Sequence, residues 1–199
     1  MSEQQGNSEH ETHALFQQRW SPRGFDSDKK VLKQDLLRCL EAARWAPSCF
    51  GDEPWRFVVC QREESEQHWQ NLLSCLMPKN QSWAKYAPVL ILTCTHAVFK
   101  HNGNENRWAE YDAGAASVSL SLQAADLGLV THQMGGFDID AVRKIFAIPN
   151  DYMPMAVMAL GYQGSGANLD ESFQGIEQTE RKRRAIKEIS FFDGWKESE

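Results

Sequence analysis

The sequence predicts a single layered domain that combines helices and strands. Its 199 residues suit one hydrophobic core, and 42% hydrophobic with 24% charged residues is the composition of an ordinary globular protein. Segments with helical apolar spacing alternate with short, continuous apolar runs along the chain, and a polar tail from residue 163 to residue 199 follows. This order predicts an α+β or α/β fold.

The first half of this order contains two helices and two strands. Leucines at helical spacing predict a helix over Asp35–Ala46, which Pro47 ends by disfavouring helical geometry in the residue before it. Trp55–Cys60 is short and rich in β-prone residues, which predicts a strand. An apolar stripe predicts an amphipathic helix over Glu64–Met77. The continuous apolar run Val89–Thr95 predicts a strand in the interior of the sheet.

The second half begins with a helix of unusual composition. Residues Trp108–Asp126 are small or apolar on most sides, so we expect this helix to be central and buried, with Gly128 at its C-terminal cap. The remaining predicted elements are a short strand over Leu129–Met134, a helix from its N-cap Asp138 through Phe146, a loop bracketed by Pro149 and Pro154, and an interior strand over Met155–Tyr162.

Charge and composition exclude several classes of function. With 21 basic against 27 acidic residues the formal charge is −6, which disfavours a general nucleic-acid binder. No apolar run approaches the ~20 residues that span a bilayer, so no membrane partner is expected. The polar start of the chain predicts a disordered arm over residues 1–14 of a cytoplasmic protein. Five cysteines without metal or redox spacing predict reduced thiols, and no metal site is expected.

Two basic segments lie near opposite ends of the chain. In the first, a proline favours extended geometry, which places Arg19, Ser21 and Arg23 on one side. Two guanidinium groups and a hydroxyl suit a phosphate monoester, although a solvated basic turn explains the segment as well. The second segment, Arg181–Arg184, also has several interpretations, because it suits a bound dianion, an exposed helix face or a weak RNA contact.

Two loops can bring backbone groups close to a ligand. Ala46–Trp55 connects a helix closed by proline to a strand that follows a proline, so this rigid loop can present its backbone to a flat ring. An ordinary connector is the alternative, and Cys49 has no visible base that would activate it as a nucleophile. Gly135 and Gly136 permit a close backbone approach or form a plain turn. Neither the Rossmann glycine pattern nor the P-loop lysine is present in that segment.

Taken in order, these segments resemble the nitroreductase family of flavoproteins. Each motif alone is weak, but their shared order over about residues 15 to 195 is specific. The matching segments are Arg19–Phe25, Ala46–Ser48, Pro54–Phe57, Asn80 with Trp83, Ala87-Pro88, Tyr111–Gly114, Gly135–Asp138, Ile148-Pro149, Ala159–Tyr162 and the closing Ile189–Trp195.

The resemblance implies an architecture and an assembly. The fold would be a nitroreductase-like three-layer α+β fold, with a central, mostly antiparallel sheet flanked by helices. Residues 15–199 would form one FMN-binding domain in an intertwined homodimer. The C-terminal tail would wrap the partner subunit, and two FMN sites would lie at the subunit interface.

The resemblance also implies which residues contact FMN. The phosphate ligands of the family correspond to Arg19, Ser21, Arg23, Arg181 and Arg183, with Trp20 as a main-chain contact. The loop that the other subunit lays against the isoalloxazine ring corresponds to Pro47, Ser48, Cys49 and Gly51. The segment beside the reactive nitrogen of the flavin corresponds to Gln133, Met134, Gly135 and Gly136. Asn80 corresponds to a residue that contacts the pyrimidine or ribityl side of the flavin. Many members have Asn and Gln at Gly51 and Glu53, and some have Glu at Gly135, so these ring contacts differ here.

The implied activity belongs to the flavin rather than to a catalytic side chain. NADH or NADPH would supply hydride for a small electron-poor acceptor, such as a nitroaromatic compound or a quinone. Related activities on the same fold are enal reduction, dehalogenation and dehydrogenation. Two hypotheses without such an activity are a flavin-storage protein with little turnover and an RNA-binding module.

Overall fold

The computed structural model of the protein describes residues 8–195, and its centre is an antiparallel sheet. The spatial strand order is β1-β2-β4-β3, and every pair of neighbours is antiparallel. The prediction of an α+β fold with a mostly antiparallel sheet is therefore confirmed. The strands are β1 (Trp55–Gln61), β2 (Val89–His96), β3 (Val130–Met134) and β4 (Tyr152–Gly161).

Helices cover both faces of this sheet. Within residues 8–195 they are α1 (Ala14–Gln18), α2 (Lys33–Arg44), α3 (Glu66–Ser74), α4 (Pro78–Ala84), α5 (Ala109–Asp126), α6 (Ile139–Phe146), α7 (Glu171–Glu177) and α8 (Ile186–Ile189), with a short 3-10 turn at Cys49–Gly51.

Each face of the sheet carries its own hydrophobic core, because side chains along a strand alternate between the two faces. From the central strand β2, Leu90 and Leu92 pack in a core with α3, α4 and α6. Val89 and Ile91 pack in a second core with α2 and α5. The result is three layers, and β2 is buried from Val89 through Thr95, as its apolar run predicts.

The predicted helix over Glu64–Met77 is too long, and a second helix follows it. The first helix ends at Ser74, and α4 begins at Pro78. Proline interrupts a preceding helix but is well suited to the first turn of a new one, where its missing N–H has no intrahelical partner. The same residue therefore marks a helix start where the sequence predicts only a helix end.

The predicted loop between Pro149 and Pro154 is shorter in the structure. Strand β4 begins at Tyr152, so Pro154 lies within the strand opposite Cys94. The pairing register shifts between Thr93 and Cys94. This irregularity accommodates a residue that has no N–H to donate to its neighbour, which explains how an interior strand contains a proline.

Helix α5 is buried on one side only, whereas the sequence predicts a central, buried helix. Its inner side contains Ala113, Ala116 and Leu120 in the core, whereas Tyr111 is 79% and Val118 48% exposed. Its C-terminal cap is as predicted, because Gly128 has a φ of +73° directly after the last turn.

Near each end of the described range 8–195, the chain forms helices or core contacts that the sequence does not predict. Part of the predicted N-terminal arm, residues 1–7, lies outside the described residues, and α1 begins at Ala14. The first part of the polar tail packs on its own chain, with Leu169 and Phe173 in the core. Ile189, Phe192 and Trp195, farther along the tail, are between 61% and 82% exposed. None of the helices in residues 8–195 combines the length and apolar character needed to cross a membrane.

Candidate functional site

The two basic segments from opposite ends of the chain meet. The Arg181 guanidinium donates to the carbonyl of Arg19 at 3.0 Å and also to the carbonyl of Gln17. Arg19 donates to the Ser21 hydroxyl at 3.4 Å. Burial, together with the positive charges of Arg181 and Arg183, lowers the pKa of Arg19. Three guanidinium groups and a hydroxyl therefore form a local cluster of donors, which we call the arginine cluster (Arg19, Ser21, Arg181 and Arg183).

Arg23 lies next to this cluster but is held by a carboxylate. Its guanidinium is 3.7 Å from Glu177 and 5.2 Å from the centre of the Phe173 ring. The same carboxylate accepts the backbone N–H groups of Arg23 at 2.9 Å and Gly24 at 3.4 Å. Glu177 was not predicted from the sequence, because its partner is 154 residues away and no local motif connects them.

The first basic segment is fixed to the sheet just beyond Arg23. Asp26 donates its N–H to the Tyr162 carbonyl at 2.9 Å, and Gly164 donates to the Gly24 carbonyl at 2.9 Å. A side chain at position 164 would place its Cβ 2.6 Å from the Phe25 carbonyl oxygen, so only glycine permits this approach. This short ladder extends the end of β4 and positions Arg19 and Arg23 relative to the sheet.

The side chain of His132 on β3 contacts the first basic segment at Pro22. Its Nδ1 lies 3.0 Å from the Pro22 carbonyl oxygen, and its ring centre is 4.5 Å from that of Trp83. Burial, with Arg23 nearby, lowers the pKa of His132 to about 4. The imidazole is therefore neutral at pH 7, and its N–H donates to Pro22. The sequence shows a histidine on a strand, but only the packing explains its pKa.

Asn80 and Gly136 form a close contact at the end of β3. The Asn80 amide donates to the Gly136 carbonyl at 3.0 Å. A Cβ at position 136 would lie 2.9 Å from that amide nitrogen, so the Asn80 side chain would have to shift from its present position. Gln133 and Gly135 are exposed, whereas Met134 is buried in the core. The structure thus brings Asn80 to the predicted glycine segment.

The loop over Pro47–Gly51 lies on the side of α5 and contacts other residues. Cys49 donates its N–H to Asp112 at 3.0 Å, and the Ser48 hydroxyl accepts the N–H of Glu53 at 3.0 Å. Phe50 has a φ of +55° and Gly51 a φ of +64°. Asp112 was not predicted from the sequence as its anchor.

The predicted site residues therefore form three groups within the chain. The first is the arginine cluster with Trp20 and Arg23, the second is Asn80 with Gln133, Met134, Gly135 and Gly136, and the third is Pro47, Ser48, Cys49 and Gly51. His132 connects the first group to the second through β3, because it contacts Pro22 and lies one residue before Gln133.

Comparison with known proteins decides the family. A model described as the Nitroreductase family matches residues 16–162. The chain belongs to the nitroreductase family. The resemblance predicted from the ordered motifs is confirmed, and with it an oxidoreductase of the nitroreductase type.

Individual nitroreductase-family relatives and related proteins agree with this assignment. An uncharacterized 15.4 kDa protein of Mycolicibacterium smegmatis is 35% identical over 148 residues, covering 70% of this chain and 97% of the relative. A Staphylococcus haemolyticus protein named "Putative NAD(P)H nitroreductase" is 26% identical over 188 residues, covering 74% of this chain and 86% of the relative. A crystal structure described as "the oxidoreductase containing FMN" has a TM-score of 0.90 at 32% identity and covers 97% of each chain.

Proposed function

We propose that the protein is a homodimeric, FMN-dependent NAD(P)H oxidoreductase that reduces small electron-poor acceptors. The observation that carries this proposal is the arginine cluster, in which Arg181 from the C-terminal segment donates to the carbonyl of Arg19 in the N-terminal segment at 3.0 Å. Family membership supports the flavin, since a similar crystal structure is described as an oxidoreductase containing FMN. The nicotinamide donor follows from the names of related proteins.

The donors of the arginine cluster fit the phosphate of FMN. Guanidinium groups bind phosphate oxygens with charged, paired hydrogen bonds, and the Ser21 hydroxyl adds a neutral donor. Like charges held together are unfavourable, so a bound dianion relieves the repulsion among Arg19, Arg181 and Arg183. The neutral His132 imidazole donates to the Pro22 carbonyl and adds no further positive charge next to the first basic segment.

FMN, when bound, supplies the two-electron chemistry, while the chain orients its ring and excludes water. We assign the contact with the pyrimidine or ribityl side to Asn80, whose amide is held by Gly136. Exposed Gln133 and Gly135 offer polar groups at the same end of β3. One turnover with a quinone consumes the quinone, NAD(P)H and one proton, and yields the hydroquinone and NAD(P)⁺.

A second copy of the chain completes the proposed site. The Pro47–Gly51 loop is anchored to α5 through Asp112 and presents the exposed Phe50, which suits a loop that serves the partner's flavin. The exposed side of α5 has apolar Tyr111 and Val118 around Gly114, a surface typical of an interface. The exposed Phe192 and Trp195 of the tail provide further apolar area for wrapping the partner subunit.

The acceptor class is proposed as nitroaromatic compounds and quinones, and the enzyme is proposed to act in the cytoplasm. Five unpaired cysteines, four of them buried, suit a reducing compartment. The remaining reactions of the fold, namely enal reduction, dehalogenation and dehydrogenation, are the competing hypotheses for the acceptor, and flavin storage is the hypothesis without turnover.

Anaerobic reduction of the purified protein tests the proposed function. We expect a yellow protein that NADH or NADPH bleaches without air and that a quinone or nitroaromatic compound reoxidises. A yellow protein that stays yellow with both nicotinamides would instead indicate flavin storage. A colourless protein that retains RNA would contradict flavin binding altogether.

A further inference from the structure

Phe50 combines a large exposed side chain with an unfavourable backbone conformation. Its side chain is 81% exposed, so the ring gains little from burial. Its φ of +55° lies in the left-handed region, which is unfavourable for a residue with a Cβ and a bulky side chain. Strained residues that persist on an exposed loop are concentrated at functional sites.

Two buried carboxylates hold the loop that carries Phe50. Asp112 on α5 is 4% exposed and accepts the N–H of Cys49 at 3.0 Å. Asp52 is 5% exposed and accepts the N–H of Lys100 at 2.8 Å. The loop is thus fixed both to the helix behind it and to the turn that follows β2, so the orientation of Phe50 is set by the fold.

The turn after β2 adds two more rings to Phe50. The Phe50 ring centre lies 5.7 Å from that of Phe99, at 82°, and 5.3 Å from that of His101. Phe99 and His101 are 5.2 Å apart, and Phe99 is only 8% exposed. The buried Phe99 therefore supports the two outer rings. We call these three residues the aromatic wall.

We propose that the aromatic wall selects planar aromatic acceptors by stacking against them, with Phe50 as the contacting ring. This rests on the proposed function, in which the Pro47–Gly51 loop lies beside the flavin of the partner subunit. Electron-poor rings stack favourably on the electron-rich face of a phenyl ring. A rigidly held and open phenyl face next to a flavin would therefore favour flat acceptors over acceptors without a flat face.

The test compares two variants of the holoenzyme at position 50. Phe50→Tyr retains the ring, whereas Phe50→Leu retains an apolar side chain without a flat face. The readout is the dissociation constant of nitrobenzene for the oxidised enzyme, measured by calorimetry without nicotinamide so that no turnover occurs. We expect roughly 5-fold weaker binding for the Leu variant than for the Tyr variant. The ratio of kcat/KM for nitrobenzene to that for ferricyanide, which has no flat face, should fall by a similar factor.

Three results would overturn this assignment. The first is equal nitrobenzene affinity in the Leu and Tyr variants. The second is loss of FMN from the Leu variant, which would make Phe50 a cofactor contact. The third is dissociation of its dimer in sedimentation velocity, which would make Phe50 an interface residue. A wild-type protein that no nicotinamide bleaches would contradict the proposed function separately, because the nitrobenzene affinities are measured without reduction.

Discussion

Acidification should weaken the fold through His132. Burial and the neighbouring Arg23 lower the pKa of this imidazole from 6.5 to about 4, so the unfolded chain binds a proton between these pH values that the folded chain does not. The free energy of unfolding is therefore unaffected by this group above pH 6.5 and decreases as the pH falls towards 4. From the two pKa values, the loss between pH 7 and pH 5 is about 2 kcal/mol.

The matched variant is His132→Asn, whose amide can donate to the Pro22 carbonyl but does not titrate. It loses the ring packing against Trp83, so its stability at pH 7 should be lower than that of the wild type. Urea unfolding of both proteins at pH 7 and pH 5, at equal protein and flavin concentrations, isolates the titration. The wild type should lose about 2 kcal/mol more than the variant over this range. Equal losses would refute the assignment of the acid sensitivity to His132.

Three further predictions test separate parts of the structure. Gly136→Ala should destabilise the protein by about 1 kcal/mol in urea, because its Cβ would lie 2.9 Å from the Asn80 amide nitrogen and displace that amide from its hydrogen bond to the Gly136 carbonyl. Gly135→Ala has open space around its Cβ and should not destabilise the protein, so equal effects of the two substitutions would contradict the contact. Ala147→Gly should stabilise by about 0.5–1 kcal/mol, because φ is +50° at this helix end, whereas a loss of stability would exclude left-handed geometry there. Phe192→Ser with Trp195→Ser should shift the sedimentation of the protein towards monomer, and an unchanged dimer would contradict a wrapping tail.

Helices and strands are predicted well where one spacing of apolar residues extends over the whole segment. The run Val89–Thr95 predicts an interior strand and forms one, and Asp138 caps its predicted helix by accepting the N–H of Ala141 at 2.9 Å. Proline was the least reliable signal, because it ends one element and begins another with the same local chemistry. Pro78 starts a helix, and Pro154 lies inside a strand.

The site was predictable only in part. Ordered motifs predict the arginines as candidate phosphate ligands, and the structure brings Arg19 and Arg181 together. The supporting contacts have no sequence signal: Glu177 reaches Arg23 across 154 residues, and Asp112 reaches Cys49 across 63 residues. Such contacts depend on how the chain packs, which periodicity and local spacing do not encode.

The central claim is that arginines from both ends of the chain hold the phosphate of FMN. Comparing FMN with riboflavin, which lacks that phosphate, tests it most directly. The variant is Arg19→Ala with Arg183→Ala, and the control of equal charge change is Arg38→Ala with Arg44→Ala, whose arginines form exposed ion pairs on α2.

Flavin affinity of the folded proteins, measured by fluorescence quenching, is the readout. The cluster variant should bind FMN at least roughly 100-fold more weakly, since each charged hydrogen bond contributes about 1.5–3 kcal/mol, while its affinity for riboflavin changes little. The control variant should bind both flavins like the wild type. Unchanged FMN affinity in the cluster variant, or an equal loss for FMN and riboflavin, would contradict the account.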